Sequence, residues 1–147
     1  MNPIDILKTH QLKRTVCREG ILSALLSANK ALSEEEVKSK IDGNFDRTTF
    51  YRSFKTLIEH NVLHKIVVDE GLVKYAITIV GKTPEHHHAH FVCKKCHTVS
   101  CLDAFTFKVP NLPSGYQTED SDLLIKGVCK MCTIKFCKNR FSVFSKL

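Results

Sequence analysis

Apolar residues in the first sixty positions recur at helical intervals, then change to a strand-like rhythm. Ile21, Leu22, Leu25 and Leu26 stand at i, i+1, i+4 and i+5, which predicts a helix over 15–28. Ser33-Glu34-Glu35-Glu36 is a capping box that opens a second helix, with acids at the positive end of the helix dipole. Val37 and Ile41 should face inward, and Gly43 should end it. Asp46 is an N-cap for a third helix to about His60, whose apolar stripe is Phe50, Phe54, Leu57 and Ile58. Two β-rich runs follow, Val62 to Val68 and Leu72 to Ile79, separated by the hairpin signal Asp69-Glu70-Gly71.

Three helices, a short connection between the second and third, and then a hairpin make a winged helix-turn-helix. In that arrangement the third helix enters the DNA major groove. Its polar face carries Arg47, Thr48, Tyr51, Arg52 and Lys55, residue types suited to phosphate and base contacts. Gly81-Lys82-Thr83-Pro84-Glu85 interrupts the pattern and reads as a hinge over 81–85. The domains are therefore expected at 1–80 and 86–147. The second half reads as strand (86–93), knuckle (93–96), strand (97–102), an irregular stretch around Pro110 and Pro113, strand (122–128), knuckle (129–132) and a last helix to about Phe144. The fold class is α+β: a winged helix followed by a small α/β domain.

Cysteine spacing adds chemistry. Cys93-x-x-Cys96 and Cys129-x-x-Cys132 form two knuckles that can close a tetrahedron around one ion. Such a site has no open position, so it is structural, and folding of the second half should depend on zinc. A redox Cys-x-x-Cys leaves the second pair unexplained. Ahead of the first knuckle lies His86-His87-His88-Ala89-His90. On a strand, alternate residues share a face, so His86, His88 and His90 should point one way, free to hold a second, regulatory metal. His64 in the hairpin and Cys101 beyond the knuckle are further ligand candidates, with Asp103 an alternative. Thiolate with imidazole suits Zn(II), whereas a carboxylate-rich set suits Fe(II). Cys17 and Cys137 have no such pattern around them.

The 147-residue chain carries a formal charge of +7 and a pI near 9.1, consistent with a polyanionic partner. The excess is uneven: residues 1–80 hold 12 Lys/Arg against 10 Asp/Glu, and residues 81–147 hold 10 against 5. With no apolar leader and no run of about 20 apolar residues, a cytoplasmic protein without a membrane partner is expected. Seven cysteines in a reducing compartment favour metal over disulfides. A zinc hydrolase with His86, His88 and His90 as ligands is a rival reading, but no H-E-x-x-H general-base motif accompanies them. A zinc-ribbon interaction module would leave the winged helix without a purpose.

Four segments together resemble the ferric uptake regulator (Fur) superfamily of bacterial metal-responsive repressors: Thr15-x-x-Arg18-x-x-Ile21-Leu22, Thr49-Phe50-Tyr51-Arg52, His86-His87-His88-x-His90-x-x-Cys93-x-x-Cys96, and Gly127-x-Cys129-x-x-Cys132. The resemblance implies a homodimer joined through the second domain. It also implies double-stranded DNA with a palindromic operator as partner, no small-molecule substrate and no enzymatic activity. It adds Arg18 and Thr49 to the expected DNA contacts. The regulatory ligand set becomes His64, His86, His88, His90 and Cys101, beside structural zinc on Cys93, Cys96, Cys129 and Cys132. Where the iron-sensing pattern has a histidine and two carboxylates, this chain has Ala31, Ala76 and Cys101, and Ala89 replaces an aspartate. Leu63-His64-Lys65-Ile66 is similar to the zinc-uptake regulator branch. A zinc-responsive repressor with a second, regulatory Zn(II) is therefore expected. The alternatives are an iron-responsive one holding Fe(II), or a peroxide sensor.

Overall fold

The computed structural model describes residues 1–78, 88–119 and 121–141, with side chains of the last helix described through Lys135. The expected hinge at 81–85, along with Ile79 and His86, lies outside the described residues, as does the side chain of Cys137. The chain divides into two compact units, Met1–His86 and His87–Leu147.

The first unit opens with a helix that periodicity did not reveal, α1 (Pro3–Thr9). Seven residues are too few to display a repeating stripe. Its cap was nevertheless written locally: the Asn2 side chain accepts from the Asp5 backbone N–H at 2.9 Å, and Pro3 sits in the first turn. Ile6 and Leu7 are buried. Helix α2 (Val16–Ala28) starts from the N-cap Thr15 and ends at Asn29, which takes a left-handed conformation (φ 49°). Helix α3 (Glu34–Lys40) has the full capping box: Ser33 N donates to Glu36 Oε2 at 2.7 Å, and Glu36 N donates to Ser33 Oγ at 3.2 Å. It stops at Lys40, three residues before the expected terminator Gly43, with Ile41 already extended. Ile41 still packs inward, against Gly20, where a Cβ would meet its Cγ2 at 2.9 Å.

Helix α4 (Arg47–Glu59) buries Phe50, Ser53, Phe54 and Leu57. Strands β1 (Leu63–Asp69) and β2 (Leu72–Ile77) form the antiparallel hairpin, with a register irregularity at 67–69 beside the turn. Leu32 adds a short third rung, exchanging backbone hydrogen bonds with Tyr75 at 3.0 and 2.8 Å. This ties the segment before α3 to the wing. Lys74 on β2 pairs with Glu36, joining the wing to the capping box. Burial pushes the Glu36 carboxyl up, but hydrogen bonds from Lys74 and Ser33 and the Lys74 charge outweigh it, and the group lies below its usual value. The core of this unit gathers Leu7, Ile21, Leu22, Val37, Phe54 and Leu57.

In the second unit, β3 (His88–Cys93) lies between β4 (Val99–Thr106) and β5 (Leu123–Gly127), antiparallel to the first and parallel to the second. Helix α5 (Lys130–Phe141) follows. As the central strand, β3 is covered on both faces: Ala89 is as buried as His90. Alternation therefore separates the histidines from Ala89 by face, but not by solvent access. The expected strand at 97–102 begins two residues later and runs on to Thr106.

Candidate metal centres and nucleic-acid interface

The β3–β4 turn and the β5–α5 junction bring Cys93, Cys96, Cys129 and Cys132 together, with all four sulfurs within 4.8 Å of one another. Cys96 Sγ and Cys129 Sγ stand 3.7 Å apart. A disulfide would require about 2.05 Å. With a metal–sulfur bond near 2.3 Å, the edge of a tetrahedron is about 3.8 Å, so this spacing fits a tetrathiolate zinc site. The cysteines at 17, 93, 96, 101, 129 and 132 are all free thiols.

Backbone amides prepare the sulfurs. Cys93 Sγ accepts from Cys129 N at 3.3 Å and from Lys95 N at 3.4 Å. Backbone N–H donation, first from Cys96 and then from Cys129, brings the Cys93 thiol down to about 6. Cys96, 3.3 Å from Thr98 Oγ1, is also lowered, chiefly by that hydroxyl. Cys132 moves the other way, up to about 12, through its contact with the Cys129 sulfur, burial, and the remaining sulfurs. One thiolate forms easily and the last one is opposed by its neighbours. A divalent cation is the group that lets all four ionise together.

The second cluster is set by strand register. His90 lies directly opposite Cys101 across the β3–β4 pair, where side chains on the same face adjoin. His88 precedes His90 by two residues on the same strand, and their rings are 4.6 Å apart, edge to face. One ring nitrogen each from His88 and His90 and the Cys101 sulfur come within 4.8 Å of one another. His88 and His90 are both buried. Asp103 begins the stretch of β4 displaced by the register shift between His88 and Ala89.

In the first unit, His64 is a buried residue of β1, its Nδ1 3.4 Å from Thr78 Oγ1. Its cross-strand neighbour is Ala76, which offers no ligand atom.

The exposed face of α4 carries Arg47, Thr48, Tyr51, Arg52 and Lys55, opposite its buried stripe. Lys55 also pairs with Glu59 at 3.7 Å on the surface. Two of the expected contact residues have structural tasks. Thr49 donates its hydroxyl to Asp46 Oδ2 at 2.6 Å and its backbone N–H to Oδ1 at 2.9 Å, completing the N-cap of α4. Those bonds, with one from the Thr48 backbone, lower the Asp46 carboxyl, the Thr49 hydroxyl contributing most. Arg18, half-buried on α2, donates to the Lys13 carbonyl at 2.8 Å and so holds the segment leading into that helix.

A model of the ferric uptake regulator family matches residues 9–109. That span runs from the end of α1 through β4 and stops before the second knuckle. The ferric uptake regulation protein of Bacillus subtilis (strain 168) is 27% identical over 147 residues, covering 91% of this chain and 97% of that protein. A solved zinc uptake regulator complexed with zinc and DNA superposes with a TM-score of 0.65 at 18% identity, covering 91% of this chain and 92% of that one. The ferric uptake regulator of Francisella tularensis with iron superposes at 0.55 and 24% identity, covering 83% and 95%. At these identities the two structures speak for the fold. Among the described residues, no helix is long and apolar enough to cross a membrane.

Proposed function

Because the chain belongs to the ferric uptake regulator family of metal-responsive transcriptional regulators, we propose that it is a zinc-responsive repressor, a cytoplasmic homodimer that binds a palindromic operator when its regulatory site is filled. Cys93, Cys96, Cys129 and Cys132 would hold structural zinc. His88, His90 and Cys101, with His64 from the wing strand and His86, would form the regulatory set. The observation that carries the choice of zinc is Cys101 standing opposite His90: thiolate and imidazole together favour Zn(II) over Fe(II).

The ion, when bound, supplies coordinate bonds that link its ligands into one rigid group. The residues do the rest. His64 sits on the strand that follows the recognition helix, so fixing His64 fixes the winged-helix unit as a body. Arg47, Tyr51, Arg52 and Lys55 then meet DNA in one arrangement rather than many. Filling the site changes DNA affinity only to the extent that the ligand set closes better in the DNA-competent arrangement.

An iron-responsive repressor is the second reading. Asp103, two residues beyond Cys101 on β4, favours it as the carboxylate candidate that the sequence offers, and the Bacillus relative is named for ferric uptake. Operator binding titrated with buffered Zn(II) and Fe(II) in anaerobic solution separates the two. Half-saturation at the lower free concentration with zinc supports the proposal. Response to iron alone overturns it. In Cys101→Asp the preference should move toward Fe(II) or Mn(II).

A further inference from the structure

The positive charge of the second unit has no part in the reading above, although most of the chain's excess lies there. Lysines crowd the zinc knuckle. The two segments that the knuckle brings together, 88–102 and 123–137, contain Lys94, Lys95, Lys126, Lys130 and Lys135 and no Asp or Glu. All five are exposed. Their closeness follows from backbone and sulfur contacts. Lys94 N donates to Gly127 O at 2.7 Å, Lys126 is the register partner of Val92 beside the knuckle, and Cys129 N donates to Cys93 Sγ at 3.3 Å immediately before Lys130. Among the described residues, Lys94, Lys126, Lys130 and Lys135 form no ion pair. Lys130 opens α5 with no acid in the first turn, so its charge adds to the positive end of that helix.

A zinc tetrathiolate carries a net charge of −2, and two lysines suffice to balance it. Of the four lysines that form no ion pair among the described residues, an excess of roughly +2 is left at the knuckle. A flexible, solvated, single-sign surface of this kind has the chemistry of a polyanion contact rather than of a carboxylate pocket, which would favour fixed, forked arginines.

We propose that the knuckle lysines are a second DNA-contacting surface, touching the phosphate backbone without reading sequence, in addition to the recognition helix. The proposal rests on the chain binding DNA through its winged helix. It assigns to the second unit a share of the affinity and little of the specificity.

The test uses the full-length, zinc-loaded protein and a triple variant, Lys94→Gln, Lys95→Gln and Lys130→Gln. Binding to an operator duplex and to an unrelated duplex is measured across a salt series, with zinc content and dimer mass followed in parallel. Each phosphate contact contributes about 0.9 to the slope of log K against log salt. With three lysines removed from each protomer of the dimer, the slope should become shallower by about 5, with both duplexes losing affinity by similar factors and zinc retained. An unchanged slope on both duplexes overturns the proposal, and so does zinc loss at an unchanged slope, which would limit the lysines to balancing the thiolates. Arg52→Ala in the winged helix serves as the comparison: it should weaken the operator more than the unrelated duplex. If the unaltered protein binds neither duplex with any regulatory metal, the DNA-binding reading itself fails, separately from the role of the lysines.

Discussion

The two clusters of metal-ligating side chains differ in how the chain assembles them. The four cysteines come as two self-contained pairs, each pair fixed by a three-residue step, and need only one meeting between a strand turn and a helix start. His88, His90 and Cys101 come from two strands and depend on register: a shift of one residue would remove Cys101 from opposite His90. A site built from short-range pairs tolerates variation elsewhere and suits permanent occupancy. A site built from strand register responds to the arrangement of its strands, which suits the proposed switch.

The comparison breaks most visibly at the knuckles. Cys132→Ser should release zinc and unfold the second unit, since a structural zinc contributes on the order of 10 kcal/mol to folding. Zinc release with a chromogenic chelator and circular dichroism check this, and a folded, zinc-loaded variant would refute the structural assignment. The same site should bind zinc more weakly in acid. Cys132, at about 12, must lose its proton to the metal at any ordinary pH, whereas Cys93 joins it only as pH falls through about 6. Zinc affinity should therefore fall more steeply below that value.

His90→Ala should leave the fold and the structural zinc intact and abolish metal-dependent operator binding, a loss of about 100-fold. Unaltered DNA affinity at controlled free zinc would sink the switch. Arg52→Ala should cost operator affinity about 1–3 kcal/mol without changing metal content, as fluorescence anisotropy would read.

The smallest effect belongs to the wing. Glu36→Gln keeps a capping acceptor and loses the Lys74 pair, at a cost of about 0.5–1 kcal/mol. Because the Glu36 carboxyl is lowered in the folded state, its advantage over Gln is fully present above its unfolded value. It should disappear as pH falls through the folded one. Urea denaturation of both proteins at neutral and acid pH measures the difference.

Much of the fold was legible because its signals are local. Thr15, Ser33 and Asp46 each cap the helix that follows them, and Asp69-Glu70-Gly71 turns the hairpin. Helix α1 escaped because its stripe is shorter than two turns, though Asn2 and Pro3 carried its start. Leu26 and Ile58 fit their stripes yet are only half-buried, whereas Ser53 is buried beside Phe54. Periodicity locates a face but not its edges. The dual tasks of Thr49 and Arg18 required hydrogen-bond geometry to see.

By itself the sequence determined which residues can bind metal, that the cysteines pair two by two, and which face of the third expected helix is polar. Those follow from spacing along one element, where the backbone leaves little choice. The tertiary structure decided what depends on distance between elements. The central position of β3 buries His90 and Ala89 alike, and strand register sets Cys101 opposite His90. The knuckle gathers lysines that are up to 41 positions apart in sequence around one four-cysteine junction. Hydrogen-bond pairing of strands and contact between sulfurs bring these groups together, and neither is written in any single stretch of the chain.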